Sequence, residues 1–272
     1  MYSNEAKGGK FPPMQLAWMP KYSNDRTAWV PSGSWDMAYG WSPNSESVYP
    51  EYLTDPSVMV CPSDAQLTVD RLRAPHNGEF EVHLWFGYGS PFRGITLLDE
   101  SYSYGGWLLD AAGDGDAAVM AHSHPLGLLF PAAADKLISY QAAEYMYAWI
   151  VPAFTVSGTN EEKAVKLVQL RDQDLSVTAP YGNAGGSTIY RLREGIERFL
   201  ITDINNPAAS AKAQSETAIM YDHISSNVVS EFNHIPGGCN VLYMDGHVEF
   251  HKYPQPEGPV SVVAANLQSI NP

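Results

Sequence analysis

"NHIPGGCNVLYMDGHVEF" (residues 233–250) decides the reading of this chain. A histidine and a glycine pair precede the apolar run Val241-Leu242-Tyr243-Met244. The chain turns at Asp245-Gly246 and returns as His247-Val248-Glu249-Phe250-His251. Asp-Gly between apolar runs is the strongest short-range hairpin signal, because both turn positions need positive φ, which Gly adopts freely and Asp tolerates. A two-residue loop predicts the register: Met244 opposite His247, Tyr243 opposite Val248, Leu242 opposite Glu249 and Val241 opposite Phe250. Tyr243, Val248, Val241 and Phe250 then make an apolar cross-strand quartet on one face, and Leu242, Met244, His247, Glu249 and His251 occupy the other. His247 and His251 share that second face but stand about 13 Å apart along a strand, too far for one metal. The stretch therefore reads as a structural hairpin.

The rest of the composition narrows the class. The chain has 272 residues, enough to bury a real core, and a formal net charge of −14. Nucleic acid and anionic membrane surfaces both require a basic footprint, so neither is expected as a partner. Only 17% of residues are charged, while 16 Tyr, 7 Trp, 22 Gly and 20 Pro point to a loop-rich β or α+β domain outside the cytoplasm. The two cysteines, Cys61 and Cys239, either form one bridge or remain small buried thiols. The chain has no stretch long and apolar enough to span a bilayer and no signal peptide.

Along the chain, residues 79–90 ("EFEVHLWFGYGS") alternate as a strand, and 102–110, 117–125 and 217–222 offer further strands. Apolar spacing at 137, 138, 142, 145, 146 and 149 predicts a helix starting near Ala132. "EEKAVKLVQLRDQD" fits helix or strand. "GGSTIYRLREGIERFLIT" predicts a helix capped by Ser187 or Thr188, with Ile189, Leu192, Ile196, Phe199 and Leu200 as its stripe.

The late stretch also resembles the C-terminal signature of a large bacterial family of prepilin-like proteins, in which His, nine residues and Asp-Gly follow an N-terminal type IV pilin segment. "MYSNEAKGGKFPP" resembles the end of the long pilin helix, "VYPEYLTDPSVMVCPSD" the family's middle block, and "DESYSYGGWLLD" and "TAIMYDHIS" its strand segments. Ten residues, one more than usual, separate His234 from Asp245, and Pro236 is the extra one on this reading. The resemblance implies a type II pseudopilin-like, α+β fold over residues 1–272: a remnant of the N-terminal helix packed on an antiparallel sheet, with an insertion at 117–185. It implies that the apolar N-terminal helix is missing from this trimmed chain, and that the protein is exported and tethered to the membrane by that segment alone. Its partners would be other pilin-like subunits or secretion-apparatus proteins. The signature residues His234, Gly237, Gly238, Asp245 and Gly246 would be structural, His234 bonding backbone or Asp245 to lock the loop. No catalytic residue and no cofactor is implied.

Three other constellations in the sequence could carry chemistry. "MAHSHPLGLLFPAAAD" resembles the JAMM metalloprotease pattern, in which His122, His124 and Asp135 would hold Zn²⁺. The oxyanion serine of that pattern is replaced by Ala132, and the general base would be Glu79, Glu81 or Glu100. "DAAGDGD" places Asp110, Asp114 and Asp116 on a Gly-rich loop suited to Ca²⁺ or to a solvated turn, and Ca²⁺ is the one cofactor admitted. Trp29, Trp35 and Trp41 could form a carbohydrate-binding surface or pack in the core. The favoured reading is the non-catalytic head of a prepilin-like protein, with the Zn²⁺ hydrolase and the carbohydrate module as alternatives.

Overall fold

The structure is a computed structural model. It describes residues 1–24, 29–64, 67–74, 77–80, 85–87, 90–93, 99, 101–131, 134–196, 200, 214–226, 232–234 and 237–269. A short helix, α1 (Tyr2–Glu5), precedes the long antiparallel pair β1 (Met14–Asn24) and β2 (Trp29–Pro43). The β1–β2 register shifts between Pro20 and Tyr22, where proline has no N–H for the ladder. After α2 (Ser45–Val48), β3 (Trp85–Gly87) joins β1 in parallel and β4 (Ser90–Arg93) pairs with β3, giving the order β2-β1-β3-β4.

The chain then forms β5 (Tyr102–Ser103), β6 (Ala118–Met120), β7 (Leu137–Ser139), α3 (Tyr140–Phe154), α4 (Asn160–Arg171), β8 (Leu175–Ser176) and β9 (Thr188–Ile189). It ends with β10 (Ala218–Asp222), β11 (Gly238–Tyr243), β12 (Val248–Lys252) and α5 (Val262–Gln268). The second four-stranded sheet runs β12-β11-β10-β5, all antiparallel. The chain is thus a mixed α+β protein with mainly antiparallel sheets, as the sequence predicts at that level. None of the described helices is long and apolar enough to cross a membrane.

Local chemistry explains the helices. The Ser139 hydroxyl accepts from Ala142 N–H and starts α3, whose Ala142, Tyr145, Met146, Trp149 and Ile150 are buried at helical spacing. The expected start near Ala132 is too early: Leu137 and Ile138 pair as strand β7 with Met120 and Val119 instead. Residues 160–171 are helical, opened by a capping box between Thr159 and Glu162. Among the described residues 187–196 the helix expected from 187 does not form. Thr188–Ile189 is strand, Arg191 and Arg193 make isolated bridges to Trp107 and Lys10, and Ile189, Leu192, Ile196 and Leu200 are buried without a helical stripe. Phe199 and residues 81–84 and 88–89 of the expected 79–90 strand lie outside the described residues.

One core cluster joins Met14, Leu16 and Trp41 to Trp107, Tyr145, Trp149, Ile189 and Leu267. Region 117–185 therefore supplies much of this core through α3. A second cluster, Ile224, Phe232, Cys239, Val241, Val260 and Ala265, sits under the terminal hairpin.

The hairpin exists, but its register differs by one residue from the expected one. Val241 faces Glu249, Leu242 faces Val248 and Asn240 faces Phe250. Tyr243 donates to His247 O at 3.0 Å and Gly246 N–H returns to Tyr243 O at 2.9 Å, so the loop holds three residues, Met244 to Gly246, with Gly246 at φ 90°. That is a three-residue loop with a glycine at positive φ, and it flips one strand's faces relative to a two-residue turn. The apolar quartet is accordingly replaced. Cys239, Val241 and Tyr243 share a face with Glu249 and His251, and Val248 and Phe250 are 60% and 51% exposed.

Candidate functional site

The His234 side chain leads to the most chemically crowded point among the described residues. Three distant segments meet there. The 3₁₀ turn Pro56–Met59 and the Cys61-Pro62-Ser63-Asp64 turn bring in Cys61, whose N–H donates to Ser101 Oγ at 3.1 Å. Ser101 in turn donates to Asp64 Oδ2 at 2.6 Å, which pins the turn against the start of β5. The last residue of β10 is Asp222, and β11 begins at Gly238, whose backbone bridges to His234.

His234 Nε2 lies 3.0 Å from Asp222 Oδ2, 3.0 Å from Asn240 Nδ2 and 3.6 Å from Cys61 Sγ. Asp222 Oδ2 also accepts from Asn240 N–H at 2.6 Å and from Asn240 Nδ2 at 2.8 Å. Asp222 is 1% exposed, and among the described residues its Oδ1 has no hydrogen-bond partner. Cys61 is 3% exposed, while the His234 side chain is 27% exposed and forms the outer wall. Both cysteines are free and buried.

Burial pushes the Cys61 thiol up, and the Asp222 and Asp64 carboxylates add to that. Burial likewise raises Tyr102, to about 12, with Cys61, Asp222 and Asp64 contributing. A nucleophilic cysteine needs the opposite shift. A Cys-His-Asp relay also uses two different ring nitrogens, whereas here the thiol and the carboxylate face the same one. The arrangement suits a structural lock or a ligand set better than an activated thiol.

Of the two partners expected for His234, backbone and Asp245, Asp245 does not reach it, while its backbone bridges to Gly238. Asp245 Oδ1 instead takes His247 N–H at 3.1 Å and His247 Nδ1 at 2.6 Å, closing the turn on itself. Those two bonds, backbone first, hold the Asp245 carboxyl below the usual range. Tyr243 stacks on His247 at 4.5 Å and meets His251 Nε2 at 2.8 Å, so neither hairpin histidine is spare. Gly238 lies directly beneath the Phe250 ring, where any Cβ would collide, and Gly237 sits at φ 139°. Residues 235–236, which include the extra proline, lie outside the described residues.

The other expected metal-ligand sets do not assemble among the described residues. His124 is buried, its Nδ1 accepting from Leu126 N–H at 3.1 Å and its Nε2 set 3.1 Å from Glu144 Oε1. His122 is exposed with Nδ1 2.9 Å from Ala134 O, and Asp135 is exposed. Among the described residues only Cys61, Asp222 and His234 bring three metal-ligating atoms within 4.8 Å of one another, so His122, His124 and Asp135 do not converge. Glu79 is exposed beside Asn77, and Glu81 and Glu100 lie outside the described residues. Asp110 caps the 183–184 turn through Asn183 Nδ2 and Ala184 N–H, Asp114 accepts from Val263 N–H, and Asp116 accepts from Gly113 N–H. These three carboxylates brace separate pieces of backbone and leave no shared ligand centre. Trp41 is 4% exposed, so it belongs to the core and not to a surface row.

Neither Asp222 nor Cys61 was singled out as a partner of His234 from sequence. The only available signal was that Cys61, Asp222 and His234 each fall inside a separate block of the prepilin-like resemblance.

No family model matches the chain, and no curated protein or solved structure matches it either.

Proposed function

We propose that this chain is the non-catalytic head of a prepilin-like, pseudopilin-like protein that acts in a secretion or surface-filament apparatus, exported and anchored through a segment upstream of the residues seen here. The observation that carries the reading is the use made of the signature histidine. His234 is spent on holding the terminal hairpin against Asp222 at the end of β10, a structural task. The resemblance at 1–13, 48–64, 99–110, 217–225 and 233–250 adds the family context. Strand β12 supports an interaction role: it is a sheet edge with Val248 and Phe250 largely exposed, and exposed apolar edges favour association. In this reading the partners are other pilin-like subunits or apparatus proteins.

Antibodies raised against the chain test the proposal on intact source cells. Surface labelling without permeabilisation, and recovery of the protein in material sheared from the cells, are expected. Confinement to the cytosolic fraction would contradict it.

A further inference from the structure

We infer that Cys61, Asp222 and His234 form a binding site for one divalent transition-series cation, with Zn²⁺ the best chemical match. The site is built on the same His234–Asp222 contact that carries the filament reading but does not depend on that reading, and it is distinct from every metal site suggested by sequence motifs. Thiolate, imidazole and carboxylate are the donors this ion takes, and here their ligand atoms lie within 4.8 Å of one another. Tetrahedral Zn²⁺ at ordinary bond lengths separates an N and an S ligand by about 3.5 Å, and an N and an O ligand by about 3.4 Å. The Nε2 to Sγ distance of 3.6 Å fits as it stands, and the Nε2 to Oδ2 distance of 3.0 Å must open by only a few tenths of an ångström.

Two independent features point to a ligand. First, Asp222 is 1% exposed yet its Oδ1 is unpartnered among the described residues, an expensive arrangement for a carboxylate unless a cation draws on it. Second, His234 Nε2 receives contradictory demands. Asp222 Oδ2 at 3.0 Å calls for a proton on that nitrogen, whereas Asn240 Nδ2 at 3.0 Å calls for its lone pair. A cation in front of Nε2 removes the conflict, because the Nε2 lone pair and Asp222 Oδ2 then serve one centre. The Asn240 amide, turned over, brings its Oδ1 to the same place as a neutral fourth ligand. As the Sγ–metal bond forms, the Cys61 thiol proton leaves to solvent past the partly exposed His234. The ion would tie residue 61, the end of β10 and the start of the terminal hairpin into one knot.

Co²⁺ titration of chelator-treated protein tests this directly, since cobalt reports both a thiolate ligand and tetrahedral geometry in its absorption spectrum. One equivalent should develop a sulfur-to-cobalt charge-transfer band together with strong tetrahedral ligand-field bands, and Zn²⁺ should displace both. Cys61→Ser should abolish the charge-transfer band, His234→Ala should weaken binding at least tenfold, and Cys239→Ser should leave the band in place. If Cys61→Ser does not fold, the wild-type spectrum still decides. Absence of a thiolate band in wild-type protein at excess Co²⁺, or its survival in a folded Cys61→Ser variant, would overturn the site.

Discussion

At the scale of single residues, His234 and Asp222 define the molecule's most consequential polar contact. The pair is 3.0 Å apart with Asp222 buried, so removing the histidine leaves a carboxylate short of a partner in a poorly solvated place. His234→Ala should cost about 2 kcal/mol in urea denaturation, as expected for a hydrogen bond to a charged group, moderated by the partial exposure of the ring. Asp245 carries a smaller, pH-dependent contribution. Its carboxyl is held low by His247, so the stability it lends is present above the ordinary aspartate pKa and is lost as pH falls through the lowered folded value. Asp245→Asn should remove that acid-side dependence, which a series of denaturation curves between neutral and strongly acidic pH would register. Much of this was hidden in the sequence. The motif exposed His234, but Asp222 lies 12 positions earlier and Cys61 173 positions earlier, and side-chain partners at such separations follow from the fold and not from local spacing.

At the scale of elements, turn chemistry was legible and register was not. Asp245-Gly246 announces the hairpin, yet loops of two and three residues both place glycine after aspartate, and only the fold separates them. The three-residue loop puts Glu249 and His251, instead of Val248 and Phe250, on the face shared with Cys239 and Val241, because a one-residue slip exchanges the faces of β12. Helix α3 was readable from Ala142, Tyr145, Met146 and Trp149, but its start depended on Ser139 acting as a cap. The apolar residues from Ile189 to Leu200 carry a helix-like spacing that tertiary pairing overrides, through the bridges of Arg191 to Trp107 and Arg193 to Lys10. Two substitutions test the element-level account. Gly238→Ala should destabilise by about 1–2 kcal/mol because its Cβ meets the Phe250 ring, and Gly238→Ala with Phe250→Leu should recover most of that loss in a thermal unfolding comparison. Thr159→Ala should cost about 1 kcal/mol by opening the capping box of α4.

At the scale of the whole molecule, region 117–185 is part of the main core, since α3 packs Tyr145 and Trp149 against Met14, Trp41 and Trp107. Helix α4 is fixed to β1 by Trp18 Nε1 donating to Asn160 Oδ1 at 3.0 Å and by Arg171 donating to Leu16 O at 2.9 Å. Arg191, fully buried, gathers the N-terminal segment by donating to Phe11 O and Pro12 O, donates as well to Gly106 O, and lies 5.2 Å from the Trp107 ring centre. Replacing it with methionine removes donors from buried carbonyls, so Arg191→Met should lower stability by about 3 kcal/mol in calorimetry. The mixed α+β class was legible from composition and alternation, whereas this staple was not, because nothing in "YRLRE" distinguishes the arginine that goes inside from the one that stays out.

The central claim is that His234 locks the terminal hairpin through Asp222. A double-mutant cycle between His234→Ala and Asp222→Asn, run beside one between His234→Ala and Asp245→Asn, measures it most directly. The account predicts a coupling of about 1 kcal/mol or more for the first pair and close to zero for the second. Additive effects at 234 and 222, or a coupling confined to 234 and 245, would contradict it.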